Sequence, residues 1–151
     1  MADLNYKREA YGEAQIAYQI YKEFYPRDSI SDYVTYRIGM SFFKQLPEKI
    51  GRDLSVAEDA VRYFDELLDL YPTSSYVEDA KKNKAKALKL LAEKELYVAD
   101  FYMKQETYSS ALGRFEDVLK NIQILVLIKG HCLELWSARI EMIINVKHNS
   151  I

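Results

Sequence analysis

The stretch Ser-Val-Ala-Glu-Asp-Ala-Val-Arg-Tyr-Phe-Asp-Glu-Leu-Leu-Asp-Leu-Tyr-Pro at residues 55–72 decides the fold of this chain. Within it Ala60 stands four residues before Phe64 and seven before Leu67, and Tyr71-Pro72 closes the segment. The same alanine spacing occurs twice more, in the sets Ala14, Tyr18, Tyr21 and Ala111, Phe115, Val118. A unit that recurs after roughly 45 to 50 residues is typical of stacked helical hairpins, which act through surfaces more often than through catalytic pockets.

Composition sets the class of the protein before any motif is weighed. The 151 residues are 49% hydrophobic and 29% charged, enough to bury a core in one domain. A net charge of -2, with lysines spread along the chain, gives no reason to expect a nucleic acid partner. Thirteen tyrosines against five glycines favour helix packing in which aromatic rings fill grooves and phenols reach water.

The hydrophobic pattern predicts five helices. We expect the first from Leu4 to Phe24, ended by Pro26, which disfavours helical geometry at the residue before it. A second is expected to begin in the capping candidates 28–31 and to end near Gln45, before a connecting loop over residues 46–53.

The remaining helices are predicted from capping signals. Ser55 and Glu58 have the spacing of a capping box, and Ser75 and Glu78 repeat it, so each pair predicts the start of a helix. The third helix should close before Tyr71-Pro72. The fourth should reach about Met103, and a fifth should follow a turn near Ser109.

Residues that might carry chemistry are sparse. The single Cys132 has no second cysteine or spaced histidine to form a disulfide or a zinc site. His131 and Glu134 are its sequence neighbours, and such neighbours do not normally supply catalytic geometry. There is no apolar run near 18 residues for a membrane span and no secretory signal. We therefore expect no enzyme activity, no cofactor and no metal.

Residues 12–120 carry a family resemblance beyond the general tetratricopeptide pattern. Five stretches support it: Tyr33-Val-Thr-Tyr-Arg-Ile-Gly39; Arg52-Asp53 before a helix; Tyr71-Pro-Thr-Ser-Ser-Tyr76 followed by Asp79-Ala80; Leu91-Ala-Glu-Lys-Glu95 with Val98-Ala-Asp-Phe-Tyr102; and Tyr108, Ala111 and Arg114-Phe115. On these residues the chain resembles the BamD (ComL/YfiO) family of outer membrane assembly lipoproteins. The resemblance implies an all-α fold, an α-solenoid of tetratricopeptide-like helical hairpins, of which this chain holds the middle repeats.

What the resemblance implies is a non-enzymatic interaction scaffold at the periplasmic face of the outer membrane. Its expected partners are the periplasmic domains of the barrel insertase and unfolded segments of outer membrane proteins. We expect a truncated copy, cytoplasmic if translated as given, because no signal peptide or lipid-attachment cysteine is present. The alternative is another envelope tetratricopeptide scaffold, acting in cell-wall or division complexes, for which the repeat spacing would look alike.

Six residues are candidates for binding a partner: Tyr33, Tyr36, Phe43, Arg52, Asp53 and Arg114. The three aromatic residues, with Phe42, would line a groove, although core packing explains the same pattern. Arg52 and Asp53 would orient that groove. Alternatively they form a surface ion pair, and Asp53 stabilises the start of the third helix through the helix dipole. Arg114 is either an anchor in an interface with a partner or a solvated charge on a helix surface.

The tail does not continue the pattern. We assign residues 1–120 to the repeat domain and 121–151 to an atypical tail, in which Ile122 to Ile128 lack helical periodicity. Gln123 stands where the third repeat should have its proline. If one adenine is restored after Lys120, codons for Lys-Asn-Ile-Gln-Ile can encode Lys-Lys-Tyr-Pro-Asp, so we hypothesise that the tail is translated out of frame.

This hypothesis is tested by the gene itself. We expect an adenine tract at the codons for Lys120 and Asn121, and a shifted frame that encodes Tyr-Pro twelve residues after Ala111. The measurement is sequencing of the genomic locus. A codon choice without an adenine tract, or a shifted frame without Tyr-Pro, rejects the hypothesis.

Overall fold

The computed structural model of the chain describes residues 1–47, 53–107, 109–111 and 113–114. Five α-helices follow one another in these ranges, and the described residues form no β-strand: α1 Ala2–Lys7, α2 Tyr11–Phe24, α3 Ser31–Lys44, α4 Ser55–Leu70 and α5 Val77–Lys104. The prediction of an all-α, tetratricopeptide-like fold is confirmed. The calls on the tail, residues 121–151, fall outside the described residues.

The chain divides into two compact units, Met1–Leu91 and a second unit that begins at Ala92. In the first unit helices adjacent in sequence pack on each other: α1 on α2, α2 on α3, and α3 on α4. In the second unit Ala99 and Ala111 are buried and contact Leu96, Tyr102 and Met103. Helices joined by short connections and packed in sequence order are what hairpin repeats require.

The recurring alanines lie inside the protein, as predicted. Ala14 and Ala60 are fully buried in the core of the first unit, and Ala111 is buried in the second. The aromatic residues four positions later, Tyr18 and Phe64, are buried beside them because positions i and i+4 share a helix face. A small side chain at this position lets a neighbouring helix approach closely. Phe115 and Val118 lie outside the described residues.

The two Tyr-Pro pairs end α2 and α4 in the same way. Tyr25 follows α2 with φ -130° and ψ 62°, and Tyr71 follows α4 with φ -130° and ψ 56°. Each still donates its N–H to the carbonyl four residues back, so the helix turn is completed before the chain leaves it. A proline next in sequence excludes helical geometry at the tyrosine, which explains the shared break.

The predicted helix Leu4–Phe24 is wrong in one respect, because it is two helices. The chain breaks between α1 and α2 at residues 8–10, where Glu9 has φ 62°. No glycine or proline marks this break, and a non-glycine residue in the left-handed region is uncommon. The other predicted bounds hold: α3, α4 and α5 begin and end within a few residues of expectation, and the described residues 109–111 and 113–114 are helical.

The predicted capping boxes do not form. The N-cap residue of α4 is Leu54, with no side-chain capping bond, and Asp53 instead accepts bonds from both the N–H and the hydroxyl of Ser55. At the start of α5, Ser74 rather than Ser75 accepts the N–H of Tyr76. At α4, Ser55 is thus the first helical residue rather than the N-cap, and its hydroxyl donates to Asp53 instead of accepting the amide that a capping box requires.

The contact between α3 and α4 depends on a residue without a side chain. A Cβ placed on Gly39 would lie 2.9 Å from Cε1 and 3.0 Å from Cδ1 of the Phe64 ring, and 3.4 Å from Cβ of Tyr63. Phe64 is fully buried and its ring cannot swing into solvent. The glycine therefore sets how closely the two helices approach.

We expect Gly39→Ala to lower the free energy of unfolding. Overpacking a core typically costs about 1–3 kcal/mol, whereas alanine gains about 1 kcal/mol over glycine in a helix, so the net loss should reach about 2 kcal/mol. The measurement is chemical denaturation. The matched control is Gly12→Ala, where the new Cβ would meet only Gln45 Oε1 at 3.6 Å. Equal stability of the two variants would contradict the close approach.

Candidate partner-binding site

One side of α3 carries polar aromatic side chains. Tyr33, Tyr36, Arg37 and Met40 lie at positions i, i+3, i+4 and i+7, which share a helix face. Tyr76, just before α5, joins them: its ring stacks on Tyr36 with centroids 4.8 Å apart and lies 5.7 Å from the ring of Tyr33. We call Tyr33, Tyr36 and Tyr76 the tyrosine face. All three are half-buried, so each is partly accessible to solvent.

At one end of the tyrosine face a phenol is fixed by a carboxylate of α5. The hydroxyl of Tyr36 donates to Oδ2 of Asp79, which also accepts the side-chain amide of Asn83 at 2.8 Å. Burial, and then the bond to Asp79, raise the pKa of Tyr36 above its ordinary value. The phenol therefore stays protonated and acts as a hydrogen-bond donor across the physiological range.

At the other end two phenols share one carboxylate of α1. Oδ1 of Asp3 accepts the hydroxyl of Tyr33 at 2.6 Å and also the hydroxyl of Tyr18. These bonds, Tyr18 first, hold the pKa of Asp3 below its ordinary value, while burial and then Asp3 raise the pKa of Tyr18. One charged oxygen thus joins α1 to both α2 and α3.

Arg37 lies between these ends and is held mainly by aromatic rings. Its guanidinium carbon is 4.5 Å from the ring centroid of Tyr6 and 5.1 Å from that of Tyr33, within the range of a cation–π contact. Its Nε is buried and has no hydrogen-bond partner among the described residues. The site therefore contains a cation with an unused donor.

The structure brings together only part of the predicted set. Tyr33 and Tyr36 belong to the tyrosine face, whereas Phe43 is half-buried against the core, with its ring 6.4 Å from that of Phe64. Phe42 is buried and stacks on Tyr63 at 5.6 Å. These contacts are those of core packing.

The charged candidates lie elsewhere. Asp53 is exposed and bonded to Ser55 at the start of α4, and Arg52 falls outside the described residues. Arg114 belongs to the second unit, where its Nη1 is 3.1 Å from Oε2 of Glu95. Their roles in binding a partner stay predictions.

Sequence reasoning missed several residues of this site. Tyr76 and Asp79 stand one helical turn apart within a stretch that carries the family resemblance, and Arg37 directly follows Tyr36, so spacing along a helix face could have found them. Asp3 and Tyr6 had no such signal. The break at Glu9 turns α1 back onto the protein, and nothing local in the sequence predicts it.

A second surface lies between α2 and α4. A cleft of about 340 Å³ is lined mainly by polar side chains, among them Gln19, Lys22, Arg62 and Glu66. Lys22 Nζ lies 2.6 Å from Glu66 Oε1, and Gln19 donates to the Tyr63 hydroxyl at 2.9 Å. These polar bonds link successive hairpins, and such partly exposed pairs contribute about 0–1 kcal/mol each.

In the described ranges no group of three or more histidine, cysteine, aspartate or glutamate side chains is placed to hold a metal ion. None of the described helices is both long and apolar enough to cross a bilayer.

With this geometry in place, comparison with known proteins assigns the family. Residues 1–127 match the family described as YfiO, outer membrane lipoprotein. The chain belongs to the YfiO family. The match includes every helix described above, so the YfiO pattern and the tetratricopeptide-like packing are properties of the same residues.

Curated relatives of this YfiO chain agree with that assignment. The outer membrane protein assembly factor BamD of Neisseria meningitidis, serogroup A, is 28% identical over 127 residues, covering 78% of this chain and 48% of the relative. BamD of Caulobacter vibrioides is 26% identical over 119 residues, covering 79% and 39%. BamD of Xylella fastidiosa, strain 9a5c, is 35% identical over 69 residues, covering 46% and 24%. The chain thus spans about half or less of the length of these relatives.

The charge of Asp3 predicts a pH dependence. A carboxylate whose folded pKa is lowered stabilises the fold above its unfolded pKa, and this stabilisation is lost as pH falls through the folded pKa. Asp3→Asn should therefore cost about 1 kcal/mol at neutral pH, a small value because Asp3 is exposed to solvent.

The difference between wild type and Asp3→Asn should shrink as pH falls from about 5 through the lowered folded pKa of Asp3. Urea denaturation of both proteins across that range measures it, and the other carboxylates cancel in the comparison. A difference that is constant with pH would show that the charge of Asp3 is not responsible.

Proposed function

We propose that this chain acts as a non-enzymatic interaction scaffold in outer membrane protein assembly. The observation that carries the proposal is the family match over residues 1–127, together with relatives that are named outer membrane protein assembly factors. The fold supports it, since packed helical hairpins present extended surfaces to other proteins. The named relatives favour this function over the alternative in cell-wall or division complexes.

The tyrosine face is the docking surface that the geometry supports best. Tyr33, Tyr36 and Tyr76 offer ring area that is already ordered by mutual stacking, so little conformational entropy is lost when a partner binds. Their phenols add polar contacts, and tyrosine and arginine are enriched among the residues that dominate binding energy. Arg37 lies beside them, and its buried Nε has no hydrogen-bond partner in the part of the chain that the structure describes.

The remaining candidates have separate roles in the proposal. Arg114 is an interface anchor whose pair with Glu95 is partly exposed and easily exchanged for a partner's carboxylate. Asp53 is proposed to fix the start of α4 and, with Arg52, to orient the surface toward a partner. Phe43 supports α3 from the core side.

The proposed partners are the periplasmic domains of the barrel insertase and unfolded segments of outer membrane proteins. The proposed location is the periplasmic face of the outer membrane. Both follow from the family resemblance and from the wording of the relatives' names, which speak of outer membrane protein assembly. The chain corresponds to about half of such a relative, so we propose that it supplies part of the full docking surface.

A capture experiment tests the function. The purified chain, immobilised, is exposed to the isolated periplasmic domains of the insertase and, separately, to a peptide from an unfolded outer membrane barrel strand. We expect saturable binding of at least one of the two, and no binding of an unrelated periplasmic protein. Capture of neither ligand by the folded chain counts against a role in barrel assembly.

The tyrosine face is tested by Tyr36→Ala. If Tyr36 contacts the captured ligand, its truncation should weaken binding by about 1–2 kcal/mol, roughly 5- to 30-fold. Binding is measured by calorimetry and folding by thermal denaturation. The matched control is Tyr97→Ala, a tyrosine that is 63% exposed outside the face. A lower melting temperature with unchanged affinity would assign Tyr36 to the core alone.

A further inference from the structure

Helix α1, Ala2–Lys7, packs on α2 through partly exposed side chains, of which Ala2 and Tyr6 lie against the core. It has six residues, none of them buried, and no side-chain cap at its N-terminus. A helix this short is not stable by itself in water. The backbone that follows includes Glu9 at φ 62°, a conformation that costs about 1 kcal/mol or more for a residue with a side chain. Contacts of individual side chains therefore decide whether α1 stays docked.

Two side chains of α1, one turn apart, make its hydrogen bonds to phenols and its cation–π contact. Asp3 places one carboxylate oxygen between the hydroxyls of Tyr18 and Tyr33. Tyr6 lays its ring on the guanidinium of Arg37 at 4.5 Å. The contacts come from an acid and an aromatic residue at positions i and i+3, which share a helix face.

The surface on which α1 packs carries groups that can bind a carboxylate and an aromatic ring. We define the acid–aromatic pocket as Tyr18, Tyr33 and Arg37. Two protonated phenols aim their hydroxyls at one carboxylate, and the guanidinium offers a cationic surface to a ring. The buried Nε of Arg37 has no acceptor among the described residues, and leaving a buried donor without an acceptor is unfavourable. A carboxylate placed slightly differently from that of Asp3 would accept the Nε–H of Arg37 in addition to the two phenol hydroxyls.

We infer that the acid–aromatic pocket is a binding site for a helical segment of a partner protein that carries a carboxylate and an aromatic ring three residues apart, and that α1 occupies it as an intramolecular ligand. Positive charge and two hydroxyl donors select the acid, and the guanidinium selects the ring. The inference rests on the proposed function only in taking the partner to be a protein.

The test uses a labelled peptide with the sequence of residues 2–10, Ala-Asp-Leu-Asn-Tyr-Lys-Arg-Glu-Ala, titrated into the full chain by fluorescence anisotropy. Wild type should bind it weakly because α1 fills the pocket. A chain with Asp3→Asn and Tyr6→Ala should bind about tenfold or more tightly, since the fraction of open pocket sets the apparent affinity. Adding Arg37→Gln to that chain should remove the gain.

Two controls make the result specific. Asp28→Asn removes another carboxylate that accepts a tyrosine hydroxyl, that of Tyr21, but it lies outside α1, so peptide affinity should stay at the wild-type value. A peptide that carries the Asn and Ala changes should not bind. Equal affinity of the changed and unchanged peptides, or no gain in the folded double variant, overturns the inference.

Hydrogen exchange keeps the inference testable if the double variant fails to fold. An excess of the peptide over wild type should speed exchange of the α1 amides, and unchanged exchange overturns the inference. If wild type is a dimer that the peptide dissociates, the occupant of the acid–aromatic pocket is α1 of a second copy. That result rejects the inference of a different partner protein. None of these measurements uses the insertase, so their failure is distinct from failure of the capture experiment.

Discussion

The close approach of Gly39 to the ring of Phe64 is the constraint on which the first unit depends. It sets the distance between α3 and α4, and a helix is rigid enough that fixing one side also fixes the other. Tyr33, Tyr36 and Arg37 lie on the remaining part of α3, directed to α1 and to the start of α5. The position of the tyrosine face is therefore a consequence of a backbone contact in the core.

The two fully described copies of the repeated alanine–aromatic unit differ in chemistry at the position four residues after the alanine. Phe64 needs nothing beyond apolar neighbours, whereas Tyr18 at the equivalent position carries a hydroxyl into a buried site. A buried hydroxyl without a partner is costly, so the first copy requires an acceptor where the second requires none. Asp3 supplies it from α1. The repeat thus explains why a carboxylate is needed at this point of the structure.

Much of the fold could be predicted, because burial imposes periodicity. Ala14, Ala60 and Ala111 are buried as their spacing predicts, and the Tyr-Pro pairs end two helices. The break at Glu9 could not be predicted, since its cost is met by contacts distant in sequence. The cap of α4 was also misassigned, because Ser55 is a helical residue that donates both its N–H and its hydroxyl to Asp53.

The candidate site was less predictable than the fold, for a related reason. Tyr33 and Tyr36 could be chosen from their position on a helix, but the choice between core and surface for Phe43 depends on which neighbour faces it. Aromatic residues occur both in the core and at the surface, so residue type alone does not distinguish a core position from a surface position. Arg37, Tyr76 and Asp79 become visible as a group only when α3 and α5 are placed side by side.

Phenol–carboxylate bonds give this surface a property that suits a scaffold. Tyr33 with Asp3 and Tyr36 with Asp79 each pair a neutral donor with a charged acceptor near solvent. Separation of such a pair leaves both groups able to bind water or a partner's groups, so exchange costs little net free energy. Stacked rings beneath them keep their positions during the exchange. The surface can therefore change its hydrogen-bond partners while the packing that orients it stays in place.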